Sequence, residues 1–403
     1  MIIKQLQRAT LQSQGLRSKQ PFGKGKKAVL AAIEHLGYIQ IDTLAVVERA
    51  HHHTLWTRIS DYKTEYLNQL VEESKVFEYW FHAASYLPMR DFRYALPQML
   101  QFKSGETRYY KNVDPKTLNY VIDKIKIDGP QKARDFKTTE KRKGSWWNWK
   151  PAKVALEKLF MQGDLMICGR NGMEKIYDLT ERILPNTIDT TEPSPMEFAE
   201  YLVNTYFRAY GFTTLKQITH LKTGRILRKN VEHVLRNMIE EQTVKELKID
   251  GLPRIFALRS IFESKIKKST PKIHLLSPFD NSIIHRDRIE QIFNYDFRIE
   301  CYLPKEKRQY GYFCLPILFG DEFIGRVDCK AHRNNGLFEI IHLHLDKRLN
   351  DLDYWLDPFI KALKDFAAFN SCKSIKVSKV SPANITGILQ GALNFSNTME
   401  IRE

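Results

Sequence analysis

The sequence lacks the long apolar stretches that membrane proteins need. None of its runs approaches the roughly 18 uninterrupted apolar residues that a membrane-spanning helix requires. The N-terminal segment, MIIKQLQRATLQSQ, also lacks the apolar core of a secretion signal. We therefore expect a cytoplasmic protein with no membrane partner.

Cysteine is scarce and scattered. The chain has 5 cysteines with no CxxC pair and no tight cluster, at positions 168, 301, 314, 329 and 372. This spacing excludes zinc and iron–sulfur sites of the usual kind and predicts ordinary reduced thiols. A GxxxxGK[ST] phosphate loop is missing as well, which argues against a helicase-associated accessory module. The sequence predicts neither a metal site nor a cofactor.

Acidic residues are few relative to basic ones. The chain has 403 residues, and 63 Lys and Arg against 47 Asp and Glu give a net charge of +16. Such an imbalance favours a polyanionic partner, and nucleic acid is the commonest one. Two basic segments, 19–27 and 138–150, are either solvated loops or loops that follow phosphates. Their candidate DNA contacts are Lys24, Lys26, Lys141, Arg142 and Lys143.

One apolar pattern occurs three times along the chain. It begins at Leu67, Leu156 and Leu235, and each copy has apolar residues at i, i+3 and i+4 before a strand-like run. The spacing predicts an amphipathic helix followed by a strand. Asn171-Gly172 and Asp250-Gly251 lie between paired strand-like runs and indicate hairpin turns. A helix followed by a hairpin is the ending of a winged helix, and further helical segments precede each copy.

The predicted fold class is therefore α+β, with three tandem winged-helix units followed by a small C-terminal β-barrel or curled sheet. Short alternating runs such as FRIECYLP and GLFEIIHLHL predict the strands of the barrel, and WLDPFIKALKDFAAF predicts a final helix. The expected domains are 1–100 with the candidate catalytic motif, 101–190, 191–268 and 269–403.

The segment GYIQIDTLAVVERAHHHTLW, residues 37–56, places Gln40 and Asp42 two positions apart on a strand-like run. Residues i and i+2 of a strand point to one side, so the two polar side chains are expected to lie together while Ile39 and Ile41 face inward. An amide and a carboxylate so arranged can hold one water molecule. The alternative is that Asp42 or Thr43 caps a helix that begins at Leu44.

Several strings, in this order, resemble the YcaQ/AlkX branch of the winged-helix DNA glycosylases, which is related to the AlkZ enzymes. They are LGYIQIDT, ERAHHHTLW, FEYWFHAASYLPM, WKPAKVALEKLFMQGDLM, LLSPFDN and KRQYGY. The resemblance extends over essentially the whole chain. It implies hydrolysis of the N-glycosidic bond of alkylated purines in DNA and unhooking of interstrand crosslinks, by a monomer that associates with the nucleoid when bound to DNA.

The resemblance also implies a catalytic motif. The YcaQ/AlkX branch has Gln-Φ-Asp, where Φ is aliphatic, and Gln40-Ile41-Asp42 has this form. Asp42 would stabilise the developing sugar cation and orient or deprotonate the attacking water, and Gln40 would hold that water. No lysine lies within the motif, which favours a monofunctional hydrolase over a lyase.

Other polar residues are weaker candidates. Consecutive helical residues point about 100° apart, so His51, His52 and His53 cannot all face one metal ion. The expected further DNA contacts are Arg49, His52, Arg58 and Arg170. Glu48 and His82 stay undecided, and Asp280 with Asn281 suggests a structural turn. The rival hypothesis is a non-catalytic winged-helix DNA-binding protein or transcription regulator, because fold alone does not settle function.

Overall fold

The computed structural model describes residues 2–106, 109–110, 113–136, 151–222, 224–263, 272–345 and 352–399. The first third of the chain contains α1 (Ile2–Ser13), α2 (Gly25–Leu36), β1 (Ile39–Gln40), α3 (Ala50–Trp56), α4 (Thr64–Glu72), β2 (Val76–Trp80), β3 (Ala84–Pro88) and α5 (Leu96–Lys103). The next segment contains α6 (Pro115–Asp128), β4 (Gln131–Lys132), α7 (Pro151–Met161), β5 (Leu165–Asn171), β6 (Glu174–Leu179) and α8 (Thr180–Ile183).

A third segment follows the proline-rich stretch before residue 195. It contains α9 (Pro195–Tyr210), β7 (Phe212–Thr213), α10 (Leu215–Ile218), α11 (Arg225–Glu240), β8 (Val244–Leu247), β9 (Ile255–Leu258) and α12 (Ser260–Glu263). The C-terminal part contains β10 (Ile273–Leu275), α13 (Asn281–Ile284), α14 (Arg286–Phe293), β11 (Cys314–Phe319), β12 (Glu322–His332), β13 (Leu337–Leu345), α15 (Leu352–Phe369), β14 (Ser374–Val377), β15 (Val380–Ser381) and α16 (Thr386–Met399).

The threefold repeat of the sequence has a common local structure. Two residues after α4, α7 and α11 end, the chain reaches Ser74, Gly163 and Gln242, which adopt positive φ angles of 51°, 80° and 60°. In each case the next residue donates its backbone N–H to the carbonyl five positions earlier, the bond of a Schellman helix end. The chain then turns into a two-stranded antiparallel hairpin. The predicted succession of helix and hairpin is confirmed at all three places.

Each hairpin is extended by one short strand from earlier in its segment. The three sheets have the orders β1-β3-β2, β4-β6-β5 and β7-β9-β8, so the extra strand always pairs with the second strand of the hairpin. The largest hydrophobic core contains residues from all three segments, from Tyr38 to Phe256. The three segments therefore share one core, and the boundaries of the four expected domains stay predictions.

The C-terminal sheet is curled and open. Its strands follow the order β10-β11-β12-β13-β14, with β15 beside β13. Irregular pairing at Ile317/Leu318 and at Asp328/Cys329 bends the long strands. The helix α15 covers one face, where Trp355, Phe359 and Phe366 are fully buried. The α+β class and the curled sheet are confirmed, whereas no pairing closes this sheet into a barrel within the described residues.

Two details of the C-terminal prediction are wrong. The segment FRIECYLP is irregular, because the Glu300 carboxylate accepts the backbone N–H groups of Gln309, Tyr310 and Gly311 and folds the chain back on itself. The helix predicted at WLDPFIKALKDFAAF is present as α15, but α16 follows it. Among the described helices, none combines the length and the apolar character needed to cross a membrane.

Candidate active site

The strand β1 carries Gln40 and is held tightly at its start. The helix α2 ends at Gly37, whose φ is 82° and whose N–H bonds to the Ile33 carbonyl at 2.9 Å. A Cβ atom at Gly37 would lie 2.4 Å from the Cγ2 atom of Thr205 on α9. Only glycine fits both the left-handed conformation and this close approach. The turn therefore fixes where the strand leaves the helix.

The strand β1 pairs with β3, the second strand of the first hairpin. Gln40 lies opposite Ser85, and the Ile41 N–H donates to the Ala84 carbonyl at 2.8 Å. Ile39 and Ile41 are buried as predicted, but Gln40 is only 9% exposed, so both faces of this strand are covered. The Gln40 Oε1 atom lies 3.1 Å from His82 Nε2. Gln40 is thus a fixed interior amide.

Asp42 follows the strand and is half-buried. Its Oδ1 atom accepts the Leu44 N–H at 2.8 Å, and Oδ2 accepts no hydrogen bond within the described part of the chain. Burial raises the pKa of Asp42, and the Leu44 N–H offsets part of that rise. The helix α3 begins only at Ala50, so the alternative prediction of a helix that begins at Leu44 is wrong. Asp42 closes a turn and leaves one carboxylate oxygen unengaged.

The irregular loop before β11 lies beside Asp42. Burial, and after it the negative charge of Asp42, raises the pKa of the Cys301 thiol. Partial desolvation of its hydroxyl, followed by the charges of Cys301 and Asp42, raises the pKa of Tyr302, although the residue as a whole is 72% exposed. Glu300 anchors this loop through backbone amides at 2.8 to 3.0 Å. An ordered loop with an exposed aromatic ring therefore borders the carboxylate.

The three consecutive histidines point to three different partners. His51 packs edge-on against Tyr86 with ring centroids 5.6 Å apart, and His53 Nε2 bonds to the Leu275 carbonyl at 2.8 Å. His52 Nδ1 bonds to the Tyr62 hydroxyl at 2.7 Å. Burial, then the nearby Arg49 charge, lowers the pKa of His52 to about 4. The His52 ring is therefore buried and uncharged at neutral pH, which gives no support to its predicted contact with DNA.

Two of the predicted DNA-binding arginines are engaged inside the protein. Arg58 is 2% exposed, and its guanidinium donates to both Asp280 carboxylate oxygens at 2.7 and 2.8 Å. Arg170 donates through Nε and Nη2 to the two Glu78 oxygens, which joins the hairpin β5–β6 to β2. These carboxylate partners engage both guanidinium groups, so the structure gives no support to the predicted DNA contacts of Arg58 and Arg170. The structural turn expected at Asp280 is confirmed, since its carboxylate also accepts the Ser282 N–H at 2.8 Å.

The remaining predicted cations differ in their availability. Lys24 is exposed just before α2, whereas Lys26 forms an ion pair with Glu73. Arg49 immediately precedes α3, and its guanidinium has no ion-pair partner among the described residues. Lys141, Arg142 and Lys143 lie outside the described residues.

Sequence patterns left His82 undecided and missed Lys222. His82 contacts Gln40 directly, and Lys222 Nζ donates to the Phe81 carbonyl at 2.7 Å. Burial lowers the pKa of Lys222 to about 8. These residues come from distant segments, so no local spacing could reveal them. The basic face of α11 was missed as well, although its arginines and lysine recur at helical intervals: Arg225, Lys229 and Arg236 are all exposed.

Comparison with known proteins identifies the class of this site. A family model described as DNA glycosylase AlkZ-like matches residues 33–366, a range that includes the Gln40-Ile41-Asp42 motif and the strands β10 to β13 of the curled sheet. The match defines a DNA-repair enzyme of the DNA glycosylase class. The chain belongs to the AlkZ-like DNA glycosylase family, as the resemblance predicted, and the non-catalytic alternative is therefore disfavoured.

A solved structure agrees in fold. The structure of the Streptomyces sahachiroi DNA glycosylase AlkZ superimposes with a TM-score of 0.62 at 15% sequence identity. The likeness covers 93% of this chain and 99% of that chain. The two proteins thus share a fold over nearly their full lengths.

Proposed function

We propose that this DNA glycosylase hydrolyses the N-glycosidic bond of alkylated purines of the N7-alkylguanine type in double-stranded DNA. Gln40 and Asp42 form its catalytic pair. The observation that carries the proposal is the contrast between these neighbours: a buried amide held by a hydrogen bond, and a half-buried carboxylate with one unengaged oxygen. A rigid donor beside an accessible base suits the handling of one water molecule.

The chemistry needs little help at the leaving base. An N7-alkylated guanine carries a positive charge, so it departs with the electron pair of the glycosidic bond and becomes neutral. The sugar meanwhile develops cationic character, which the Asp42 carboxylate stabilises electrostatically. The water oxygen bonds to the anomeric carbon, and its proton passes to Asp42. The partial burial of Asp42 strengthens its electrostatic interaction with the sugar cation, because charges interact more strongly in surroundings of low polarity. Burial also raises the pKa of Asp42, which makes the carboxylate a better acceptor for the water proton.

The exposed border of the site suits a large lesion. Tyr302 is 72% exposed beside Asp42, so the carboxylate lies close to the protein surface. A crosslinked base remains attached to the opposite strand and cannot enter a closed pocket. We therefore include unhooking of interstrand crosslinks in the proposed activity. The enzyme acts as a monomer in the cytoplasm, bound to the nucleoid, without a cofactor.

The proposal includes three winged helices as DNA-binding units. Each repeat has the helix, hairpin and extra strand that this motif requires, and α11 presents a basic surface. Successive α-helical residues are about 100° apart, so Arg225, Lys229 and Arg236 fall within about 40° of one another. The exposed Glu232 lies on the same face and forms an ion pair with Arg228 at 3.4 Å. Lys24, Arg49 and the segment with Lys141, Arg142 and Lys143 are the other proposed phosphate contacts.

A base-release assay tests the proposed function. Purified protein incubated with duplex DNA that contains N7-methylguanine is expected to release the free base and leave an abasic site, with or without EDTA. If the enzyme were a lyase, an amine would form a Schiff base with the sugar, and Lys222, whose pKa is lowered to about 8, is the candidate for that amine. Borohydride should trap no covalent protein–DNA adduct if the enzyme is monofunctional. Failure to release any alkylated base from the duplex would contradict the proposal.

We predict that the basic face of α11 contributes affinity without lesion preference. Replacing Arg225, Lys229 and Arg236 together by glutamine should weaken binding to damaged and undamaged duplex by the same factor. Affinity falls as salt rises, and the plot of log affinity against log salt should become less steep by about one for each phosphate that these side chains neutralise in the wild type. Fluorescence anisotropy titrations at several salt concentrations measure both quantities.

A charge-preserving variant is the matched control for this measurement. Arg225→Lys with Arg236→Lys keeps the charge of the surface while changing the same side chains, so the salt slope should stay near that of the wild type. An unchanged slope in the glutamine variant would remove α11 from the DNA interface.

A further inference from the structure

His82 lies in the turn between β2 and β3 and contacts the candidate catalytic amide. The Phe81 N–H donates to the Ala83 carbonyl at 3.0 Å and closes this turn. Lys222 reaches the turn from the third segment, where its ammonium donates to the Phe81 carbonyl and lies 4.6 Å from the Phe81 ring centroid. The position of His82 is therefore set by contacts from two parts of the chain.

Aromatic rings hold the imidazole in one orientation. Tyr38 meets it edge-on at a centroid distance of 4.9 Å, and Tyr38 is itself stacked on Phe81 at 4.6 Å. On another side His220 lies 5.4 Å from His82, and His285 lies 5.2 Å from His220. These contacts leave the His82 ring buried and aimed at β1.

The hydrogen bond defines which nitrogen of His82 carries the proton. An amide oxygen accepts hydrogen bonds but cannot donate them, so Nε2 must be protonated for its 3.1 Å contact with Gln40 Oε1. Burial, followed by the charges of His220 and Lys222, lowers the pKa of His82 to about 3. The ring is thus neutral near pH 7, with Nε2 protonated, and Nδ1 has no partner within the described residues.

We infer that His82 is a positioning residue that fixes the orientation of the Gln40 side-chain amide for catalysis. An amide can turn by half a rotation and exchange its oxygen and its NH₂ group at almost no steric cost. The surroundings of His82 decide between the two orientations: a proton on the buried Nδ1 would have no acceptor among the described residues, so the proton belongs on Nε2. Nε2–H then selects the orientation in which the amide oxygen faces the imidazole and the NH₂ group is left to donate. A water that accepts from Gln40 keeps both its protons available, and one of them can pass to Asp42. In the reversed orientation the amide oxygen would compete with Asp42 for a water proton.

This inference rests on the proposed catalytic pair, and it specifies a residue that the Gln-Φ-Asp motif does not contain. The test compares His82→Gln with His82→Asn. The glutamine nitrogen can reach the position of His82 Nε2, whereas the asparagine nitrogen corresponds to Nδ1 and is too short. His82→Phe keeps an aromatic ring in the turn and removes the donor. Single-turnover excision from an N7-methylguanine duplex is measured at saturating enzyme for each protein.

We expect His82→Asn and His82→Phe to slow excision about tenfold, the factor for loss of one hydrogen bond of ordinary strength. His82→Gln should restore the rate to within about threefold of the wild type, and DNA affinity should be unchanged in all three. In a Gln40→Ala background, His82→Phe should have no further effect, because a residue that acts through Gln40 has nothing left to orient.

The possible failures can be told apart. If the wild type releases no base, the proposed function is wrong. If Gln40→Ala slows a working enzyme but His82→Asn and His82→Gln have equal rates, the inference about His82 is overturned while the function stands. Additive losses in the double variant would also overturn it. Thermal melting shows whether each variant is folded. If His82→Phe does not fold, the comparison of His82→Gln with His82→Asn still tests whether His82 positions Gln40.

Discussion

Asp42→Asn is expected to lower single-turnover excision of N7-methylguanine by a factor of about 10² or more, the scale of general-base and electrostatic groups. The carboxylate is half-buried with Oδ2 unengaged, so its charge is placed to act on a nearby cation and its oxygen can accept a proton. Asparagine keeps the shape of the side chain but has neither the negative charge nor an oxygen that can accept the proton. The loss should appear in the chemical step, with DNA affinity nearly unchanged.

The same substitution should leave folding intact. Asparagine retains an Oδ1 atom that can accept the Leu44 N–H, so the turn after β1 persists. Burial raises the pKa of Asp42, which means that the folded state binds its proton more tightly than the unfolded state. The contribution of Asp42 to stability therefore decreases as pH rises from about 3.9 through its folded pKa. At neutral pH, Asp42→Asn should melt at the same temperature as the wild type or slightly above it.

The pH profile provides an independent check. Catalysis needs the ionised carboxylate, so the wild-type rate should fall on acidification at a pH above the range of an ordinary aspartate. Asp42→Gln, which forms the Gln-Φ-Gln motif of the AlkZ type, should retain partial activity on cationic purines and lack this acidic limb. Wild-type excision by Asp42→Asn would leave the proposed site without its catalytic carboxylate.

The features that were predictable from the sequence are those with local causes. Three helix ends with the same hydrogen-bond pattern arise from the same short apolar spacing, and the turns at Gly172 and Gly251 arise from Asn-Gly and Asp-Gly pairs. Gln40 and Asp42 attracted attention for an equally local reason, their two-residue separation on a strand. The local spacing of apolar and polar residues was therefore sufficient to predict the order of helices and hairpins and to point to the candidate motif.

The errors have tertiary causes. The segment after Asp42 stays irregular and bends at residues 46–48 instead of forming a helix. The Val46 carbonyl accepts the Ala331 N–H from β12, and the Glu48 N–H donates to Asn370 Oδ1 just after α15. Both partners lie far away along the chain. Basic charge predicted DNA contact at Arg58 and Arg170, but charge alone cannot reveal a buried carboxylate partner. The role inferred for His82 likewise depends on a pairing between segments.

Arg58→Met is expected to destabilise the protein by about 3–5 kcal/mol, the cost of leaving one partner of a buried ion pair alone. The Arg58 and Asp280 side chains are fully buried, and the pair joins the helix α3 region to the turn before α13. Arg58 also donates to the Gln14 and Thr54 carbonyls at 2.8 and 2.9 Å. Urea unfolding at pH 7 measures the loss of free energy.

A double variant separates the charge from the packing. Arg58→Met with Asp280→Asn removes both charges, and asparagine can still accept the Ser282 N–H that begins α13. The double variant should therefore be more stable than Arg58→Met alone, because no unpaired charge remains buried. A double variant less stable than either single variant would show that lost packing around Arg58 is the main cost.

Acidification should narrow the gap between Arg58→Met and the wild type. Burial by itself would raise the pKa of Asp280, but the Arg58 guanidinium and the Ser282 hydrogen bonds hold it below its ordinary value. In the wild type this stabilisation is full above about pH 3.9 and is lost as pH falls through the lowered folded pKa. In Arg58→Met the unpaired buried carboxylate should have a raised pKa, so that variant gains stability as pH falls toward 4. Urea unfolding measured from pH 7 down to pH 4 should show that the difference in unfolding free energy between the wild type and Arg58→Met becomes smaller. A constant difference would mean that the instability of Arg58→Met does not come from an unpaired, buried Asp280 carboxylate.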